Sequence, residues 1–131
     1  MIAFSKSVEV GKIAAMPERA GSIAPTYASQ GNLNNHWGVP LSLSRIPIES
    51  AYGVFELGMN HAGEISPLSL MVSPHVAIIT NVEPVHLEFF ESLSEIADAK
   101  AEIFEGLNNC FHFISLSNIR RLIFFKSLVI V

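Results

Sequence analysis

Lys100 occupies a position that an ordinary surface lysine avoids. Wound at about 100° per residue, the stretch 92–107 puts Leu93, Ile96, Ile103, Phe104 and Leu107 on one face and Glu95, Asp98, Glu102 and Glu105 on the other. Lys100 falls in the middle of the apolar face, one turn from Ile96 and one from Phe104. Two readings stand side by side. Either the stem is buried and the ammonium reaches past the core edge, or the amine faces a functional cleft. The loop upstream, 81–90, breaks an apolar pattern with Pro84, His86 and Glu88. Farther back, Glu56 closes the apolar run 52–57 just before Gly58, as an exposed edge residue or as a site residue.

The elements that must position these groups follow from pattern. The run 76–80 is short and apolar enough for a buried strand. Ser92 with Glu95 three residues on forms a capping box that starts a helix. A strand, a loop at its carboxyl end and a returning helix make half of a βαβ unit, and in such sheets ligands bind beyond the carboxyl ends of the strands. The run 52–57 reads as a buried parallel strand. A short helix over 64–72 follows, with Pro67 in its first turn and Ser73-Pro74 ending it. This alternation predicts an α/β parallel sheet.

Upstream, 30–40 is rich in glycine and asparagine, suited to tight turns. Asn34 and Asn35 are candidate caps for a helix with Pro40 in its first turn, continuing through Leu41, Leu43 and Ile46. Trp37 reads as packing or rim. At the start, a strand over 2–4 leads into SKSVEVGKI. Gly11-Lys12 has the form of the end of a Walker A loop, where glycines let backbone N–H groups cradle phosphates and a following Ser or Thr binds Mg²⁺. Here Val8 stands three residues before Gly11, and Ile13, which has no hydroxyl, follows Lys12. Weak or absent phosphate binding is predicted. Pro17 and Gly21 interrupt the helix expected next.

The chain has 131 residues, half of them hydrophobic and 15% charged, which fits one domain and argues against disorder. A net charge of −4 gives no electrostatic reason to expect a nucleic-acid partner. The single cysteine, Cys110, cannot form an internal disulfide, so a reducing compartment is expected. No signal peptide is evident at the N-terminus. The apolar stretch 108–131 is interrupted by Arg120, Arg121 and Lys126, and its last uncharged run is far short of the ~20 residues that a membrane span needs.

Three blocks in register carry a family resemblance: QGNLNNHWGVPLSL at 30–43, VFELGMNHAGEI at 54–65, and ITNVEPVHLEFF followed by ADAKAEIFEGL within 79–107. They resemble the central domain of the bacterial Mur ligases, most closely the branch that adds D-alanyl-D-alanine. The resemblance covers 26–107. It implies a P-loop-like parallel sheet flanked by helices, incomplete relative to the family. Residues 1–107 would be a partial central, ATP-binding domain with a degraded phosphate loop at 5–13, and 108–131 a divergent apolar tail.

The activity implied is ATP-dependent ligation of D-Ala-D-Ala to UDP-N-acetylmuramoyl tripeptide through an acyl phosphate, in bacterial cytoplasmic peptidoglycan synthesis. The cofactors implied are ATP and Mg²⁺. By the same resemblance Glu56 and His86 hold Mg²⁺, a hard cation that prefers oxygen ligands, and Gly11 and Lys12 meet the phosphates. Asn34 and Asn35 lie on a loop facing the reaction centre. The lysine matching Lys100 is carbamylated by CO₂, which turns a cation into a metal-ligating anion, and burial favours this by freeing the neutral amine. Asn81 is expected to orient the His86 loop, with Glu83 and Glu88 as solvated surface. His75 reads as structural, and His112 receives no role. The rival expectation is a catalytically inactive fragment of such a ligase.

Overall fold

A computed structural model describes residues 1–5, 23–84, 88–107 and 112–115. Five parallel strands form its sheet: β1 (Ile2–Ser5), β2 (Thr26–Ala28), β3 (Tyr52–Leu57), β4 (Val76–Ile79) and β5 (His112–Ser115). Their spatial order is β2-β3-β1-β4-β5. The chain thus builds one half of the sheet on one side of β1, then crosses to the other side with β4. Ser5 pairs with Leu57 on one side and with Ile79 on the other, so the carboxyl ends of the three central strands are level. Ligands in open α/β sheets bind outside such a reversal. The predicted α/β class and parallel sheet are what the structure has.

Helix α1 (Gly38–Ser44), α2 (Ile65–Val72) and α3 (Leu93–Ala101) connect the strands, and a 3₁₀ helix (Glu102–Gly106) follows α3. Strand alternation sends Phe55, Leu57, Ala77 and Ile79 to one face, where they meet Val39 of α1, Ile65, Leu68 and Val72 of α2, and Ile103. Val54 and Ile78 point to the opposite face, packed with Ala28 and Val76. Each large aliphatic or aromatic side chain withdrawn from water here contributes about 1.5–3 kcal/mol. A third cluster, Phe90, Ile96 and Ala99, packs on Met59 and Val82, two residues just beyond the carboxyl ends of β3 and β4. That cluster seats α3 over the edge where a ligand would enter.

Local signals and tertiary contacts divide the work of ending these helices. Ser92 accepts from the Glu95 N–H at 3.2 Å, as the capping box requires, and the Glu95 carboxylate takes the Glu91 N–H at 2.9 Å. Helix α2 ends where Ser73 adopts a left-handed φ of 45°. The face drawn from Leu93 to Leu107 is not one continuous α-helix. Its last turn tightens to 3₁₀ where Ser69 of α2 donates its hydroxyl to the Ile103 carbonyl. Leu93, expected in the core, is 39% exposed at the first turn. Strand β5 lies parallel to β4 within the stretch read as a divergent tail, so the sheet continues there. The Gly11-Lys12 segment with Val8 and Ile13, the helix expected after it, and His86 lie outside the described residues.

Candidate functional site

Glu56 is the second-to-last residue of β3, and the Asn34 loop is fastened to it. Asn34 Nδ2 donates to Glu56 Oε1 at 2.8 Å, and the Gly58 N–H donates to the Asn34 carbonyl at 2.8 Å. A methyl group on Gly58 would sit 2.8 Å from the Asn34 side chain, which would have to shift to admit it. The Glu56 N–H donates to Ser29 Oγ at 3.2 Å, which ties the end of β2 into the same corner. The two asparagines therefore divide their tasks. Asn35 Oδ1 accepts from the N–H groups of Trp37 and Gly38 at 3.1 and 2.9 Å, which makes it the cap of α1. Asn34 instead holds the carboxylate. Trp37 is 77% exposed beside the His36 ring, a rim position.

Lys100 is 2% exposed. Its Nζ donates to the backbone carbonyl of Asn81, two residues beyond β4, at 2.8 Å. The head group is therefore turned into the protein at the carboxyl edge of the sheet, and snorkelling to solvent is not its arrangement. Burial pushes the ammonium pKa down to about 8, and the negative charge of Glu83 opposes that shift. Asn81 Nδ2 in turn donates to Glu83 Oε1. Glu83, read from sequence as solvated surface, is thus part of the Lys100 environment, and Asn81 supports Lys100 with its carbonyl.

One further contact joins the loops around this edge. His61, after β3, lies 4.4 Å ring to ring from Phe89, after β4, and its Nδ1 is 3.1 Å from Glu64 Oε1. At the opposite, amino end of the strands His75 Nδ1 lies 2.7 Å from the Met1 amine.

The donor chemistry fits a hard cation at Glu56, whose carboxylate offers oxygen, and fits it at Lys100 only if the amine becomes an anion. Among the described residues no group of three His, Cys, Asp or Glu side chains stands together as a metal site.

Residues 4–124 match the family model of the Mur ligase middle domain. The chain belongs to that family. The match runs past Leu107 through β5. Relatives named UDP-N-acetylmuramoyl-tripeptide–D-alanyl-D-alanine ligase include one from Rickettsia prowazekii, 44% identical over 97 residues, which are 66% of this chain and 22% of the relative. Another, from Escherichia coli, is 48% identical over 82 residues, 63% of this chain and 18% of the relative. A crystal structure of MurF from Acinetobacter baumannii superposes with a TM-score of 0.81 at 38% identity, covering 87% of this chain and 25% of that one. The chain thus spans about a fifth of the length of the curated relatives it matches.

Several features of this Mur ligase middle domain carry no sequence signal that single-chain reading uses. The Asn34–Glu56 bond joins residues far apart in sequence. Glu102, assigned to the polar helix face, accepts N–H groups from Gly63, Ile65 and Ser66.

Proposed function

We propose that the chain supplies the middle-domain portion of an ATP-dependent ligase that joins D-alanyl-D-alanine to UDP-N-acetylmuramoyl tripeptide in bacterial, cytoplasmic peptidoglycan synthesis. The observation that carries this reading is Lys100, an amine buried at the carboxyl edge of the sheet in a chain whose 44–48% identical relatives bear that enzyme name. In the reaction, a substrate carboxylate oxygen takes the γ-phosphoryl group of ATP and ADP leaves. The incoming amine then bonds to the acyl carbon, phosphate departs, and the amine gives up a proton. Phosphoryl transfer asks of the protein mainly positioning and electrostatics.

In this reading Glu56 and His86 hold Mg²⁺, which when bound neutralises phosphate charge. Asn34 keeps the Glu56 carboxylate oriented, and Asn35 shapes the same loop by capping α1. Gly11 and Lys12 serve the phosphates. Lys100, held by Asn81 and depressed in pKa by burial, is the residue carbamylated by CO₂: the neutral amine nitrogen bonds to the carbon and loses a proton, leaving a carboxylate-like ligand. A second reading, a chain with no enzymatic activity of its own, is favoured by Val8 and Ile13 in the phosphate segment. No described helix is long and apolar enough to cross a membrane.

The test is ¹³C NMR of the chain equilibrated with ¹³C-bicarbonate near pH 8, beside Lys100→Ala. A carbamate resonance that disappears in the variant supports the reading. Its absence from the wild-type chain at saturating bicarbonate removes Lys100 from the site.

A further inference from the structure

Helix α2 takes the cap for its N-terminus from a distant part of the chain. Its own N-cap residue, Glu64, makes no side-chain cap, because that carboxylate turns back to the N–H groups of Asn60 and His61 at 2.7 and 3.3 Å. The acceptor is Glu102. Its Oε1 takes the Gly63 N–H at 2.6 Å, and its Oε2 takes those of Ile65 and Ser66, each at 3.1 Å. A carboxylate at a helix N-terminus with three N–H donors is a charge-assisted arrangement, stronger than a neutral one. Ser66 Oγ then donates to Glu105 Oε2 at 2.5 Å, and the Ser69 hydroxyl donates to the Ile103 carbonyl. Gly106 lies so close to the Ser69 carbonyl that a Cβ there has no room.

We propose that Glu102 is a positioning residue, whose carboxylate fixes the Lys100 segment against the loop that leaves β3 after Glu56. The inference rests on the reading of Lys100 and Glu56 as parts of one site. Glu102 follows Lys100 by two residues, and the donors it holds lie just beyond Glu56 on the way into α2. Moving the Lys100 segment away from the sheet edge would strip three N–H groups at the start of α2. The clamp therefore couples the placement of the amine to the element that leaves the carboxylate. A cap with no such role needs only local residues, and Glu64 is available for that but used elsewhere.

The experiment uses the full chain with Glu102→Gln, which keeps the size and removes the charge, and Ser66→Ala, which removes only the neighbouring bond to Glu105. Two quantities are read at one fixed pH: hydrogen exchange at the amides of Gly63, Ile65 and Ser66, and the rate at which acetic anhydride acylates Lys100, followed by peptide mass spectrometry. Val54→Ala, a core truncation on the opposite face of the sheet from α2 and Ile103, serves as a control for general destabilisation. Glu102→Gln is expected to raise both quantities by about tenfold or more, the scale set by removing charge-assisted hydrogen bonds. Ser66→Ala raises Lys100 acylation less, and Val54→Ala leaves Lys100 at its wild-type rate. Faster amide exchange with unchanged Lys100 acylation makes Glu102 a helix cap only and overturns the proposal. Should Glu102→Gln fail to fold, Glu102→Asp, which keeps the charge and shortens the reach to the three N–H groups, decides: raised Lys100 acylation upholds the clamp, and the wild-type rate sinks it. A ¹³C-carbamate at Lys100 with acylation indifferent to Glu102→Gln ends the positioning role and leaves the proposed function standing. Raised acylation with no carbamate in any variant upholds the clamp and removes Lys100 from the site.

Discussion

Asn34 and Glu56 hold one another across 22 residues of sequence, amide nitrogen to carboxylate oxygen at 2.8 Å, with Gly58 pressed against the asparagine side chain. The relationship makes a three-residue unit whose parts should not act independently. Asn34→Ala removes a hydrogen bond to a charged group and is expected to lower stability by about 1.5–3 kcal/mol. Gly58→Ala brings a methyl into the Asn34 amide and should cost about 1–3 kcal/mol. In the double variant the methyl enters space that the amide has vacated, so the combined loss should be clearly smaller than the sum. Urea melts of the four chains measure this, and strict additivity would show that the two side groups do not meet.

The depressed pKa of Lys100 gives stability a defined pH dependence. The folded chain releases the Lys100 proton near pH 8, whereas the unfolded chain holds it until about 10.4. Between those values the unfolded state binds more protons, so stability from this group rises with pH across the window. Below pH 8 both states are protonated and the full cost of the buried ammonium remains. At about 1.4 kcal/mol per pKa unit, the gain is on the order of 3 kcal/mol. Lys100→Met fills similar space without a charge. The wild-type chain should therefore gain on Lys100→Met from pH 8 to 10, in bicarbonate-free buffer, with the variant the more stable of the two at pH 7. Parallel stability curves for the two chains across that window would exclude a depressed Lys100 pKa.

Helix α3 and its capping box, the strand over Tyr52–Leu57 and the anomalous place of Lys100 were all legible, because each is set by residues within a turn or two of one another. The rest depended on distance. Periodicity marks Glu102 and Glu105 as polar, yet it cannot say that α2 meets that face. Composition marks 30–40 as a turn-rich loop but does not choose between Asn34 and Asn35 for the cap. The choice follows from Gly58, whose bare backbone lets Asn34 reach Glu56 and leaves Asn35 for α1. Likewise the 3₁₀ turn after Ala101 is imposed by packing on Ser69, a neighbour only in the folded chain.

Gly106 tests how closely the 3₁₀ turn packs on α2. A Cβ at this position would overlap the Ser69 backbone carbonyl, and backbone in a packed helix yields far less than a flexible side chain. Gly106→Ala is expected to cost about 2–4 kcal/mol, at the upper end for overpacking. Gly58→Ala, which meets a side chain, should cost less. Thermal unfolding of the two variants under one set of conditions ranks them, and the reverse order would mean that the 3₁₀ turn sits farther from α2.

The last expectation concerns nucleotide. A phosphate loop works by close approach of backbone N–H groups and by a hydroxyl on the metal, and in the segment proposed to serve the phosphates this chain has Val8 and Ile13, neither a glycine nor a hydroxyl residue. Valine lacks the backbone freedom that glycine gives, and isoleucine offers no oxygen. Removing a single charge-stabilising group can lower a rate by ~10²–10³-fold, and on the proposed reading of 5–13 two positions of that loop lack what phosphate binding needs. The purified chain should therefore release no phosphate from ATP above background, with or without UDP-N-acetylmuramoyl tripeptide and D-alanyl-D-alanine, and calorimetry should show weak nucleotide binding at most. Restoring the loop with Val8→Gly and Ile13→Thr should raise Mg²⁺-dependent nucleotide affinity by at least about tenfold, the factor that 1.4 kcal/mol of recovered binding provides. Lys12→Ala or Glu56→Gln on that restored background should take the gain away. Substrate-dependent phosphate release by the unaltered chain, above its own Lys12→Ala control, would show that the loop binds phosphate despite its side chains. An affinity that the restored loop leaves unchanged would place the nucleotide defect outside residues 8 and 13.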